Sequence, residues 1–588
     1  MMPHPRIAWL VRTGIAGPTL GAGLLAASIL LHSVPARADA DADAKISRLL
    51  DLLVQKKIVS PKQARELFRE TEVATPSRRA HVAPVGEEAA PPAKSGEIRV
   101  TYVPQFVRRQ IADEVRAQVM TEAQTEGWAA PNALPEWTQR FRLYGDLRVR
   151  YERDSFDPGN SFPFTNFQAI NQGSPFDPQA VGAGGPNPAF LNTTENRQRE
   201  RVRARLGVQA QIDDWLTGDF RISTGADQGP VSPNQTEGAP GDFAKYNAYI
   251  DRAYFTATAL NGLTVLAGRF PNPFATTDLL FYSELNFDGV SASYTHKITT
   301  ATNAYIIAGA FPILNTAFDF STNSSTKFAG RNSYLFALQA GGQWQVKRDL
   351  LAKIGVGFFD FDGVQGVVSS PCGPPQGSTY TCNTDSTRFQ YDQFGNTVFG
   401  IRDIVNFPGS TPNNPQYFGL SSKFKVLEAH PRVEITSYSP FDIAIEGEIL
   451  KNLAYNRADI LIRGPVNFQG PQNNFGSIPK GSNATNGLYQ GGDTGYMFRG
   501  QIGALKIQKL WDWNVSAAYK HLETDATLDS ITDSDFHLGG TNAKGYILTG
   551  SLGIARNTFL SLRYFDASVI SGPQDTNQVF QLDLQSSF

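Results

Sequence analysis

The chain ends Val579-Phe-Gln-Leu-Asp-Leu-Gln-Ser-Ser-Phe588. Phe580, Leu582, Leu584 and Phe588 fall on one parity, with Ser586 the only gap. Val579, Gln581, Asp583, Gln585 and Ser587 fall on the other. Side chains alternate across a strand, so this segment has one apolar face and one mostly polar face. Two folds present such a strand: the edge of a soluble sheet, and a wall strand of a barrel in lipid. The rest of the chain decides between them.

Upstream, the same period of two recurs. Alternation between turn signals marks sixteen candidate strands, at 138–152, 198–212, 215–225, 246–259, 262–270, 284–297, 301–312, 331–347, 350–361, 422–438, 441–454, 492–509, 511–524, 542–556, 558–569 and 577–588. Their connections alternate in length. Short ones fall at Asp213-Asp214, Leu260-Asn261, Ile298–Thr300, Arg348-Asp349, Ser439-Pro440, Leu510 and Asn557. Long ones span 153–197, 226–245, 271–283, 313–330, 362–421, 455–491, 525–541 and 570–576. A barrel inserted from one side of a membrane keeps short turns on that side and long loops on the other. A soluble sandwich has no reason to sort its connections so. The predicted fold class is an all-β transmembrane antiparallel barrel of about sixteen strands over residues 138–588; one miscounted pair would give fourteen or eighteen.

Composition agrees. A chain of 588 residues is too long for one compact soluble core. Aromatics are 11% and glycines number 53, which suits twisted strands. Past residue 31 there is no apolar run long enough for a transmembrane helix, which leaves a barrel open, since barrel strands show lipid only every second residue. The net charge of −2 implies no nucleic-acid partner.

The first 38 residues read as a secretory signal: His4, Arg6 and Arg12 precede an apolar stretch, and Ala36-Arg37-Ala38 supplies the cleavage spacing. An uncleaved anchor is the alternative. The mature chain would start at Asp39 with a helical hairpin over 39–73, carrying Ile46, Leu49, Leu50 and Leu53 at helical spacing. A Pro- and Ala-rich linker follows over 74–97. Residues 98–137 hold a helix from about Gln105 to Glu126 and a lead-in to the barrel. This helical segment is expected in the periplasm. Export makes Cys372 and Cys382 a predicted disulfide; their spacing fits no metal site.

Alternation also assigns the lumen. On the first strand Leu143, Gly145, Leu147 and Val149 face lipid, so Arg142, Tyr144, Asp146, Arg148 and Arg150 face the channel. On the second, Arg199, Arg201, Arg203 and Arg205 line up inward; on the third, Asp219 and Arg221 do. Arg269 and Arg563 are further inward candidates. A charge on the lipid face would cost about 2–4 kcal/mol near the midplane, so the column must face water or acids. It is either a ladder paired with Asp146, Glu152 and Asp219, or a basic wall acting on solutes. Because nearby acids are fewer than the arginines, some arginines are expected to stay unpaired, which favours the wall. On the tenth strand Glu428, His430, Arg432 and Glu434 face in; on the eleventh Asp442, Glu446 and Glu448 do. These would form an acidic wall facing the basic one. Loop 271–283 and the disulfide loop 362–421 are both candidates for narrowing the pore.

The chain resembles the outer-membrane porins of Gram-negative bacteria that carry an N-terminal helical segment. The resemblance lies in Tyr102-Val-Pro104, Glu126-Gly-Trp-Ala-Ala-Pro-Asn-Ala-Leu-Pro-Glu-Trp137, Tyr144-Gly-Asp-Leu-Arg148, Arg199-Glu-Arg-Val-Arg-Ala-Arg-Leu-Gly207, Ile250-Asp-Arg-Ala-Tyr254, Gly268-Arg-Phe-Pro-Asn-Pro-Phe274 and Phe287-Asp-Gly-Val290. It implies a passive pore with both termini periplasmic. The partners it implies are outer-membrane lipid, the barrel assembly machinery reading the Phe588 strand, and a homotrimer.

Other chemistry lacks a signature. Seven histidines are scattered, and no Gly-x-Ser-x-Gly context supports a hydrolase. No cofactor or metal is expected, and no enzymatic activity. The rival to a channel is a structural or adhesive barrel filled by its loops.

Overall fold

The C-terminal alternation is realised as the strand that closes a ring. The computed structural model describes residue 115 and residues 136–588, apart from 163, 178–186, 226–228, 374–380, 407, 409–413, 439–440 and 464–490. The expected signal, helical hairpin, linker and most of the second helix lie outside the described residues. Val115 is helical, and Glu136–Gln139 forms one helical turn before the barrel.

The barrel strands are β1 (Phe141–Phe156), β2 (Arg197–Asp213), β3 (Leu216–Thr224), β4 (Ala248–Leu260), β5 (Leu263–Pro271), β6 (Asn286–Lys297), β7 (Thr302–Leu314), β8 (Ser333–Lys347), β9 (Leu350–Asp362), β10 (Phe424–Ile435), β11 (Ile443–Asn452), β12 (Thr494–Gly503), β13 (Trp513–Leu522), β14 (Ala543–Ala555), β15 (Thr558–Val569) and β16 (Thr576–Ser587). Each pairs antiparallel with its neighbours in sequence, and β16 pairs with β1 from Asp146↔Ser587 to Phe156↔Asn577. The sixteen strands therefore close on themselves, leaving no unpaired edge. The seam is finished by Phe588, whose backbone exchanges hydrogen bonds with Gly145 at 3.1 and 3.0 Å. A Cβ on Gly145 would meet the Phe588 ring at 2.7 Å, so the ring needs the bare backbone there.

Alternation sorts the side chains as a barrel in lipid requires. Leu143 is 70% exposed, Phe498 55% and Leu582 42%, all pointing outward, while Arg150, Glu152 and Gln581 on the opposite parity are buried inside. Water would penalise such an outer surface; hydrocarbon does not.

Two turns run longer than expected: 436–442 between β10 and β11, where Ser439-Pro440 alone was expected, and the one between β12 and β13. The ladder between β12 and β13 stops at Gly503, and residues 504–512 form the connection, where a single residue at Leu510 was expected. Gly503 has φ +105°, and Asp512 accepts from the amides of Gln508 and Lys509, so this stretch bends into a local turn.

Described parts of several long connections fold into the barrel, among them those of 272–285, 363–423 and 523–542. They meet inward-facing residues of the loop-side half, namely Phe311 on β7, Phe359 on β9, Phe424 on β10 and Leu522 on β13, in one apolar cluster. Phe274 packs edge-on to Phe359 at 5.1 Å, and Phe281 to Phe287 at 5.1 Å. Burying each such side chain stabilises by about 1.5–3 kcal/mol. The middle loop holds a small hairpin, Val398–Gly400 with Phe418–Leu420, and the joined Cys372 and Cys382.

Candidate functional site

The arginine column lies inside the barrel and meets carboxylates. Register sets Arg203 across from Arg148 and Arg201 across from Arg150, so like charges stack on neighbouring strands and need acids between them. Arg150 donates to Asp583 at 2.7 and 2.9 Å and to Asp535 at 3.1 Å. Arg199 and Arg201 share Glu152, and Arg199 also nears Asp154 at 3.5 Å. Arg203 and Arg205 share Asp146, at 2.6 and 2.7 Å, and both also bond Glu284. Arg148 donates to Asn234 and stands 4.0 Å from Glu284. Arg221 pairs with Asp251. Asp219, an expected ladder partner, instead accepts from the Tyr144 hydroxyl at 2.7 Å.

The expectation that arginines outnumber their acids misses two carboxylates that come from loops. Glu284 lies just before β6, and Asp535 lies in connection 523–542. Burial alone would raise Glu284; the guanidiniums of Arg203, Arg205 and Arg148 overcome it and lower the carboxyl to about 2. Burial likewise opposes the charge on Asp535, and Arg150, Arg563, Arg201 and Arg148 pull it far below the ordinary carboxylate range. Nothing in strand alternation reveals where a loop acid lands. The surplus of inward arginines was the one signal that such acids must exist.

Arg142 begins β1 on the inward parity and is exposed. Arg269, expected inward, instead takes the parity opposite to the buried, inward Phe270; it bonds Asp288 across the ladder at 2.6 Å and, at the loop-side end of β5, still borders two cavities of that half. Asp442 precedes β11 on the inward parity, its carbonyl accepting from Gly503.

The tenth and eleventh strands carry a mixed network in which acids and bases pair. Arg432 bonds Glu434 at 2.7 Å and Glu446 at 2.5 Å. Glu434 also takes Lys353 at 2.9 Å, and Glu446 takes Arg499 at 2.8 Å. Glu428 and Glu448 are 1% and 0% exposed, beneath connection 272–285. Glu448 accepts the Thr277 amide at 2.9 Å and also its hydroxyl. Gln339 bonds both the amide and carbonyl of Ala275, at 2.8 and 3.0 Å, and donates to Glu428 at 3.3 Å. Lys520 on β13 donates to the Asp278 carbonyl at 3.0 Å. Of the two loops considered for narrowing the pore, 272–285 thus leaves β5, reaches the wall at β8, β11 and β13, and returns to β6. Residues of the disulfide loop, Val364, Val398, Phe418 and Leu420, share its apolar cluster.

Cavities remain around this strap. One of 460 Å³ lies in the turn-side half, lined by Phe274, Tyr305, Lys353 and Arg432 among others. Two of 360 and 310 Å³ lie in the loop-side half and share Pro230 and Arg269.

A family profile described as "Putative porin" matches residues 43–588. The chain belongs to this porin family. It is an outer-membrane protein with the closed sixteen-strand barrel described above. No curated protein matches the chain. Solved structures with a similar course include OprB of Pseudomonas putida, 11% identical over 80% of this chain and 97% of that one with a TM-score of 0.38. The outer-membrane channel DcaP of Acinetobacter baumannii is 9% identical over 76% and 97%, with a TM-score of 0.34. Salmonella typhi OmpF is 8% identical over 76% and 97%, with a TM-score of 0.35. These superpositions are loose, and the barrel assignment for this porin rests on its own strand pairing.

Proposed function

We propose that this porin is a passive channel for ions and small hydrophilic solutes, set in the outer membrane with both termini in the periplasm. The observation that carries the proposal is a polar and charged inner wall around a strap that narrows the lumen. Such a wall holds water and admits solutes that exchange hydrogen bonds with it. We read the protein as a channel, not an enzyme, a trimer like the general porins, and inserted through its Phe588 strand by the barrel assembly machinery.

Arginines of β1–β3 and carboxylates of β10 and β11 are proposed to set a field across the water path. Their ion pairs shrink that field, so the selectivity should be modest. Reversal potentials under a salt gradient test it: Arg201→Ala with Arg203→Ala should move them toward the cation side, and no movement would remove the basic wall from the account. Liposome swelling tests passage itself. Vesicles holding the protein should swell in an isotonic small-sugar solution at a rate that falls with solute size.

One observation favours a second reading, a non-conducting structural barrel: the apolar cluster in the loop-side half, around Phe281, Phe359 and Leu528. Vesicles that stay tight to every solute would support it.

A further inference from the structure

The 460 Å³ cavity beneath the strap has the build of a solute site. Its size lies within the roughly 300–1,000 Å³ range of small-molecule pockets. Its floor is set by one row of the sheet. Tyr305 on β7 pairs with Gly341 on β8, which pairs with Gly355 on β9. With no side chains at the two glycines, the tyrosine lies down along the row. A Cβ on Gly341 would collide with the Tyr305 hydroxyl, and one on Gly355 would come within 2.9 Å of it. One ring face therefore rests on the wall and the other is turned to the cavity. The Tyr305 hydroxyl bonds no other described residue.

Around this platform stand neutral polar groups. Asn303 and Gln343 line the cavity, and their side-chain amides bond no described residue, in contrast to Gln339, which is committed to Ala275 and Glu428. Ser293 and Thr295 add hydroxyls. The cations at the far end are already committed: Lys353 to Glu434, Arg432 to Glu434 and Glu446. An anion would have to displace those carboxylates, which costs more than a neutral solute needs.

We propose that this cavity docks a neutral polyhydroxylated ring, a sugar-like solute whose apolar face stacks on Tyr305 and whose hydroxyls bond Asn303 and Gln343. An aromatic platform with a polar rim is the arrangement that fits a solute with C–H faces and O–H edges. The inference rests on the channel reading for its route of access, while the site itself is measurable without conduction.

The test uses the full-length protein and sucrose, with polyethylene glycol of matched size and glucuronate as comparators. In bilayer recordings, sucrose should interrupt the current in a saturable way that the polymer does not reproduce. Tyr305→Ala should weaken the apparent affinity about tenfold, Tyr305→Phe should leave it within about twofold, and Asn303→Ala with Gln343→Ala should weaken it as well. The double variant serves if Tyr305→Ala fails to fold. Sucrose no more effective than the polymer, glucuronate preferred over sucrose, or variants indistinguishable from the parent would overturn the proposal. If the barrel conducts nothing, the channel reading fails, and saturation-transfer NMR of sucrose with detergent-solubilised protein decides the site. Transfer that is lost in Tyr305→Ala supports it, and absence of transfer to the parent overturns it.

Discussion

Thr277 gives both its amide and its hydroxyl to one carboxylate oxygen of Glu448, on the wall across the lumen from the strand that Thr277 follows. That pairing fixes the far end of connection 272–285. The near end is fixed by Glu284 on Arg203 and Arg205. A strap held at both ends is a defined constriction rather than a wandering loop.

The far end should loosen when its hydroxyl is removed. Thr277→Val keeps the shape and deletes one of the two donors to a fully buried carboxylate, a loss of about 1–3 kcal/mol. Amide hydrogen exchange over residues 272–285 should speed up markedly while the barrel strands stay protected. Unchanged exchange would mean that the Thr277 hydroxyl adds nothing to the hold of the Thr277 amide, Gln339 and Lys520 on this end.

The near end should be more sensitive. Glu284→Gln leaves Arg203, 1% exposed, with Asp146 as its only carboxylate among the described residues. Breaking one side of a buried ion network costs about 3–5 kcal/mol. A lower melting temperature in detergent and a shift toward anion selectivity are expected together. The ordinary acid range should not mimic this change, because Glu284 keeps its charge down to about 2.

How much of this was legible in the sequence follows from geometry. Strand parity is local, so the alternation around Leu143, Leu147 and Val149 placed Arg148 and Arg150 inside without reference to the rest of the chain. Strand order was legible because short turns leave neighbours no choice but to pair. Loop destinations are not local. Glu284 and Asp535 reach the arginines only because connections 272–285 and 523–542 turn inward, and no periodicity encodes that. The strap over Glu448 escapes the sequence for the same reason: parity turns the side chain inward, and no periodicity tells that connection 272–285 will cover it.

Raised carboxyls in the loop plug make a pH prediction. Burial, with nearby Asp525, raises Asp529 to about 7, and burial followed by Asp529 raises Asp392 well above its ordinary value. Asp533 is raised to about 6, mainly by burial. The unfolded chain releases such a proton near about 3.9, so the folded plug holds protons that the unfolded one has lost. The stabilisation is whole below about pH 4 and is lost as pH rises through about 7. Protease nicking of segment 523–542 should therefore be greater at pH 8 than at pH 5. Asp529→Asn should flatten the difference; an unaltered pH profile in that variant would remove Asp529 from the explanation.

The disulfide should act on its own loop. Cys372 and Cys382 are ten positions apart and pack with Ile404, away from the barrel ladders. Disulfides typically contribute about 2–4 kcal/mol to the unit they close. Cys372→Ser with Cys382→Ser should raise protease sensitivity within 363–423 and leave the barrel's melting temperature within error. A fall in barrel melting would show that this loop braces the wall.

Single-channel recording of the purified, refolded protein in a planar bilayer tests the central claim most directly. A strapped, water-filled lumen predicts discrete current steps whose size scales with salt concentration. A bilayer that stays silent at every salt concentration, with folded protein shown to be inserted, would contradict it.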